Sequence, residues 1–143
     1  AGGGPPAVGA AAGRGADGPL VTCDLAFYHG LNGLVAVGRA EVDATVLVIN
    51  NDGGGIFHRL PIEEFEPPFT RQFKTPHGLE FEPAGELYGL GVSRVESREG
   101  FREVYVEAAE REGSEIIEVG VDAEDSHAIR DELQAETVTR LTE

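Results

Sequence analysis

Two short polar constellations carry the chemistry of this 143-residue sequence. One is Asp24, close behind the apolar run Leu20-Val21-Thr22; the other is Asn50-Asn51-Asp52-Gly53-Gly54-Gly55, directly behind Ala44-Thr45-Val46-Leu47-Val48-Ile49. A carboxylate, a side-chain amide oxygen and a free backbone carbonyl are hard oxygen donors of the kind Mg²⁺ takes, its remaining positions going to phosphate oxygens and water. Asp24, Asn51 and Gly53 supply that set. With Asp24 opening a helix, the backbone N–H groups of Leu25 and Ala26 point at an anion that the helix dipole favours. The same residues also admit a plainer reading, since an aspartate at a helix start is commonly an N-cap and a glycine-rich run is commonly a turn.

The other reactive side chains form no such set. His29, His58, His77 and His127 are scattered without metal-ligand spacing and read as helix-surface or loop residues, with His58 and His77, near the glycine-rich turn, the two worth testing. Ser126 and His127 are too close in sequence to form a nucleophile and base on one helix face. Cys23, the single cysteine, permits no internal disulfide and no CxxC site and reads as a small buried residue. No Walker sequence is present.

The elements that must position Asp24 and Asn51 follow from the hydrophobic pattern. Leu20–Thr22 reads as a short strand, and Phe27, Leu31, Leu34 and Val35 recur at helical spacing behind it. The β-branched run 44–49 reads as a central parallel strand buried on both faces. Residues 56–80 read as an irregular excursion over a site or interface, because Pro61, Pro67, Pro68 and Pro76 interrupt any helix while Phe57, Phe65, Phe69 and Phe73 need burial. Beyond it are expected a short helix from Pro83 to Tyr88, a strand from Gly91 to Val95, and a helix from Arg98 to Glu112 stopped by Gly113. A strand from Glu115 to Val121 follows, then a last helix capped by Asp125 or Ser126 and carrying Ile129, Leu133 and Leu141 to the core. Strands alternating with helices imply an α/β fold, a three-layer parallel sheet with helices on both faces. In such a sheet, ligands bind beyond the carboxyl ends of the strands, where both constellations lie.

Residues 1–19 are rich in Gly, Ala and Pro and read as a weakly structured lead-in to a single domain over 20–143, although Ala7–Gly13 could form a short helix docked in a larger parent. The length suits one domain. Against 26 Asp and Glu stand 11 Lys and Arg, with Lys74 the only lysine, for a formal charge of −15. Such a surface repels a phosphate backbone, which excludes nucleic acid as a partner. It resembles that of proteins adapted to high salt, the alternative being an ordinary acidic cytosolic protein. No apolar run approaches the roughly 18 residues of a membrane span, and no signal peptide is legible, so a cytoplasmic protein is expected.

The wording of the two constellations is more specific than their chemistry. Asp24-Leu25-Ala26-Phe27-Tyr28-His29, Leu31-Asn32-Gly33-Leu34, and Val48 through Gly55 with Ile56-Phe57 closely resemble the cofactor motif of a thiamine-diphosphate-dependent family, the 2-succinyl-5-enolpyruvyl-6-hydroxy-3-cyclohexene-1-carboxylate synthases of menaquinone biosynthesis. The 27 positions from Asp24 to Asn51 match the spacing of thiamine-diphosphate enzymes, and Thr75-Pro76-His77-Gly78-Leu79 and the helical tail also look like this family.

The resemblance implies a C-terminal thiamine-diphosphate-binding domain. In it, Asp24 and Asn51 by side chain and Gly53 by carbonyl oxygen hold Mg²⁺, and Leu25 and Ala26 offer backbone groups to the diphosphate. Gly55 lies in the same turn, and Ile56 and Phe57 wall the thiazolium. The implied substrates are 2-oxoglutarate, which is decarboxylated, and isochorismate, to which the remaining carbon unit is joined. The implied partner is a missing pyrimidine-binding domain or subunit carrying the activating glutamate, in what is a homo-oligomer when complete. Without those parts the chain is expected to be inactive and to hold no catalytic residue of its own. Cys23 stands at the family's glycine and Gly30 at its usual aspartate. A non-catalytic truncated remnant and a nucleotide- or flavin-binding α/β module are the competing readings.

Overall fold

The computed structural model describes residues 19–39 and 43–142. The expected lead-in and the Ala7–Gly13 helix lie outside the described residues, apart from Pro19. The chain divides into two compact units, one of residues 1–50 and 79–120 and the other of residues 51–78 and 121–143.

The first unit is a four-stranded parallel sheet. Its strands are β1 (Leu20–Cys23), β2 (Thr45–Asn50), β3 (Gly91–Val95) and β4 (Glu115–Gly120), in the order β1-β2-β4-β3. Leu20 lies opposite Val46, Val46 opposite Ile116, and Val92 opposite Ile116. The central pair β2 and β4 owes its place to Val46-Leu47-Val48 and Ile116-Ile117, buried on both faces as their unbroken apolar runs require. Alternation along each strand then sorts the core into two clusters. Val46, Val48 and Ile116 meet Phe27, Leu34, Val37 and Phe81 on one face; Leu47, Val95 and Ile117 meet Ala108 on the other, with Phe101, Val104 and Tyr105 alongside.

Helices α1 (Asp24–His29), α2 (Leu34–Arg39) and α3 (Glu82–Tyr88) serve the first cluster, and α4 (Arg98–Glu110) serves the second. This is the three-layer arrangement expected from the alternating pattern. The helix expected after Asp24 is broken between α1 and α2 by a 3-10 turn at Leu31–Gly33, so Val37 takes the buried place expected of Val35. Helix α4 begins at the N-cap Ser97, whose Oγ accepts from the Gly100 N–H at 3.1 Å, and stops two residues short of the expected Glu112.

In the second unit, the segment expected to be irregular is built from single turns. Gly55–Arg59 and Pro61–Glu64 are 3-10 turns and Thr70–Lys74 is a π turn, each too short to need the uninterrupted length that the prolines deny. Phe69 is buried, whereas Phe65 is exposed, contrary to the expectation that all four phenylalanines need cover. Helix α5 (Ala123–Thr142) is capped by Asp122, whose Oδ1 accepts from the N–H groups of Glu124 at 2.8 Å and Asp125 at 2.9 Å, rather than by Asp125 or Ser126. Ile129, Leu133 and Leu141 do not reach a core: all three are exposed, Leu141 by 81%. No helix among the described residues is long and apolar enough to cross a membrane.

Candidate functional site

Asp24 is the first residue of α1 and is 0% exposed. Its Oδ1 accepts the Leu25 N–H at 2.7 Å, so this amide, expected to face an anion, is turned onto the neighbouring carboxylate; Ala26 follows in the same turn. The preceding Cys23 is exposed, correcting the expectation of a buried thiol. The cause is topological: β1 is an edge strand, and α4, on the face to which Val21 and Cys23 point, packs over β3 and β4.

One step beyond the paired residues Cys23 and Ile49 come Asp24 and Asn50, at the carboxyl ends of β1 and β2. The Asn50 side chain reaches the other way across the sheet, its Nδ2–H donating to Glu118 Oε1 at 2.7 Å. Glu118 is 2% exposed, and the Arg94 guanidinium approaches the same oxygen to 3.9 Å.

The second unit contains the glycine-rich turn with Asn51, Gly53, Gly55, Ile56 and Phe57. Asp52 adopts φ +57°, and its Oδ1 accepts the backbone N–H groups of His77 at 2.9 Å and Gly78 at 2.7 Å. The Gly54 N–H donates to the Lys74 carbonyl at 2.6 Å. At Gly53, with φ +124°, a Cβ would overlap the Lys74 carbonyl oxygen, so backbone angle and space both require glycine. Gly55 is buried so closely against Asn51 that a Cβ there would overlap the Asn51 amide nitrogen. Beyond the turn, Ile56 is exposed, and Phe57 meets Phe73 edge to face at 5.7 Å.

The histidines that sequence spacing leaves scattered are partly gathered. In the second unit, His58 and His127 stack with ring centroids 5.4 Å apart, and Glu63 lies against both, 2.7 Å from His58 Nδ1 and 3.8 Å from His127 Nε2. Together they line a cavity of about 400 Å³ with Phe69, Thr70 and Lys74. His77 Nδ1 is 3.5 Å from Asp52 Oδ1, and His29 is exposed at the end of α1.

Among the described residues no three His, Cys, Asp or Glu side chains are grouped to hold a metal ion. The set expected from sequence draws one ligand from those types, Asp24, and completes itself with the Asn51 amide and Gly53 carbonyl oxygens, donors that suit Mg²⁺. Two residues escaped the sequence reading. Asp52 fastens the glycine-rich turn to residues 77 and 78, and Glu118 fastens Asn50. Glu118 carried a legible signal: a charge inside the apolar run Ile116-Ile117-Glu118-Val119 is costly to bury without a partner.

Residues 2–119 match the model of a family described as thiamine pyrophosphate enzyme, C-terminal TPP binding domain, a match that begins ahead of the Leu20 start read from the motifs. The 2-succinyl-5-enolpyruvyl-6-hydroxy-3-cyclohexene-1-carboxylate synthase of Haloarcula marismortui is 56% identical over 122 residues, 85% of this chain and 20% of the relative. The synthase of the same name from Natronomonas pharaonis is 53% identical over 132 residues, 91% of this chain and 22% of the relative. This chain thus spans about a fifth of the length of the curated relatives it matches. Among solved structures, the benzoylformate decarboxylase of Polynucleobacter necessarius superposes with a TM-score of 0.64 at 23% identity, over 79% of this chain and 21% of that one. A thiamine diphosphate-dependent 4-hydroxybenzoylformate decarboxylase of Rhodococcus jostii RHA1 gives 0.61 at 20% identity, over 71% of this chain and 19% of that one. At these identities the two decarboxylases show the shared fold.

Proposed function

The chain belongs to the thiamine pyrophosphate enzymes through their C-terminal TPP binding domain, and from that premise we propose that it anchors the cofactor's diphosphate through Mg²⁺ as the C-terminal part of a menaquinone-pathway synthase. The reading is carried by the burial of Asp24 at the carboxyl end of β1, the edge at which open parallel sheets bind their ligands. Asp24 and Asn51 hold the metal by side chain and Gly53 by its carbonyl. The Gly53 carbonyl oxygen accepts the Gly55 N–H at 2.9 Å, which leaves its second lone pair for the metal, and Asp52 fastens the same turn to residues 77 and 78. Ala26 offers its backbone N–H at the diphosphate, the Leu25 N–H being held by Asp24 and the Gly55 N–H by the Gly53 carbonyl, and Ile56 and Phe57 present an apolar wall to the thiazolium.

When bound, thiamine diphosphate supplies the electron sink for decarboxylating 2-oxoglutarate and joining the remaining carbons to isochorismate, while the protein supplies orientation and electrostatics. The pyrimidine-binding part with its activating glutamate comes from elsewhere in the complete, homo-oligomeric, cytoplasmic enzyme. The identity above 50% to synthases of this name supports the assignment.

A thermal-shift titration with thiamine diphosphate and Mg²⁺ tests the anchor. Ligand at a hundredfold excess over Kd stabilises the folded chain by about 2.7 kcal/mol, and Asp24→Ala abolishes the shift. No shift, or one that survives Asp24→Ala, overturns the proposal. Stabilisation by a flavin or nucleotide instead favours a binding module of the same architecture.

A further inference from the structure

Glu118 is a buried carboxylate that the proposed ligand set does not use. It lies on β4 with the parity of Ile116, on the sheet face that α1, α2 and α3 cover, and only 2% of it is exposed. An apolar residue of similar size would occupy such a place without the cost of desolvating a charge. What the carboxylate gains is one strong bond, the 2.7 Å contact from Asn50 Nδ2–H, with the half-exposed Arg94 guanidinium 3.9 Å away as a weaker second partner. Asn50 is the last residue of β2, and the chain passes from it directly into Asn51.

We infer that Glu118 is a positioning residue for the metal and diphosphate site, acting through Asn50. Its Oε1 fixes the Asn50 amide on β4, and so fixes the strand end from which the ligand-bearing turn departs. The inference rests on the function proposed above. It assigns the effect to the hydrogen bond rather than to the carboxylate's charge, because the partner is a neutral amide at bonding distance while the cation is farther off.

The test is isothermal titration of the chain with thiamine diphosphate at saturating Mg²⁺, the melting temperature of each unligated variant being recorded alongside. Glu118→Gln keeps an oxygen acceptor for Asn50 and binds within about threefold of the unaltered chain, whereas Glu118→Leu and Asn50→Ala each weaken binding by about tenfold or more, as loss of a supporting partner typically does. The double variant Asn50→Ala, Glu118→Leu loses no more than the worse single variant. Asn50→Ala stands in for Glu118→Leu should the latter fail to fold. Unchanged affinity in Glu118→Leu, or in Asn50→Ala where Glu118→Leu does not fold, overturns the inference whatever the melting temperatures do. Equal losses in Glu118→Gln and Glu118→Leu, or additive losses in the double variant, overturn it as well. Asp24→Ala controls for the underlying reading. If it binds as well as the unaltered chain, or if the unaltered chain does not bind, the proposed function falls and this inference with it. If only the Glu118 and Asn50 results fail, the inference alone falls.

Discussion

Asp52 and Gly78 are joined by a 2.7 Å hydrogen bond in which the Gly78 N–H donates to Asp52 Oδ1. The same oxygen accepts the His77 N–H at 2.9 Å, so one carboxylate holds two consecutive amides of a segment 25 residues downstream. Asp52→Ala removes both bonds and leaves a side chain poorly suited to φ +57°. The expected cost to the second unit is about 1 to 3 kcal/mol, read as faster hydrogen exchange at the His77 and Gly78 amides. Asp52→Asn keeps an acceptor and tolerates the backbone angle, and should lose less.

Gly53→Ala places a Cβ at φ +124° into the Lys74 carbonyl oxygen. Strain of this kind costs on the order of 1 to 3 kcal/mol. The cofactor-induced thermal shift should shrink, because relieving the overlap parts the turn that carries the carbonyl proposed as a ligand from the Lys74 and Thr75 backbone it packs on. A variant with an undiminished shift would remove Gly53 from the metal set.

Phe81 lies at the centre of the first apolar cluster, 2% exposed, with Phe27 edge-on at 5.1 Å. Phe81→Ala opens a cavity under α1 and should destabilise the first unit by about 3 to 5 kcal/mol, measured by denaturant unfolding. By contrast, Leu133→Ser on the exposed face of α5 should change stability by no more than about 0.5 kcal/mol.

The charge of −15 predicts a salt response. Raising ionic strength from 0.1 to 1 M shortens the Debye length from about 10 Å to about 3 Å and screens the repulsion among exposed carboxylates such as Glu124, Asp125, Asp131, Glu132 and Glu136 on α5. The melting temperature should rise over that range. A flat or falling curve would count against the salt-adapted reading.

The sheet was legible because its strands announce themselves locally. The β-branched run ending at Ile49 and the run from Glu115 each need only their own residues to read as buried strands, and Gly91–Val95 was delimited as found. The spacing of Asp24 and Asn51 was legible for the same reason. What escaped depends on partners distant in sequence. The stripe of Ile129, Leu133 and Leu141 resembles a core-facing one until the absence of any covering element among the described residues is known. Cys23 was misplaced because edge position is a property of strand order, which no single strand encodes. Asp122 outcompeted Asp125 and Ser126 as a cap through backbone geometry two residues earlier than the polar cluster suggested. Asp52 and Glu118 matter through bonds to residues 26 and 68 positions away, and spacing within a motif is silent about these.

The pairing of β2 with β4 sets Thr45 opposite Glu115. A ribosome making this chain releases β2 some 70 residues before the strand that flanks it arrives, and long loops of this kind must close before their contacts repay the lost freedom. Until β4 emerges, β2 has β1 on one side and a bare row of amides and carbonyls on the other, and Asn50 has no Glu118 to bond. A nascent polypeptide that stalls ahead of Glu115 therefore carries Asp24 and the turn of residues 50–55 without the strand that bonds Asn50.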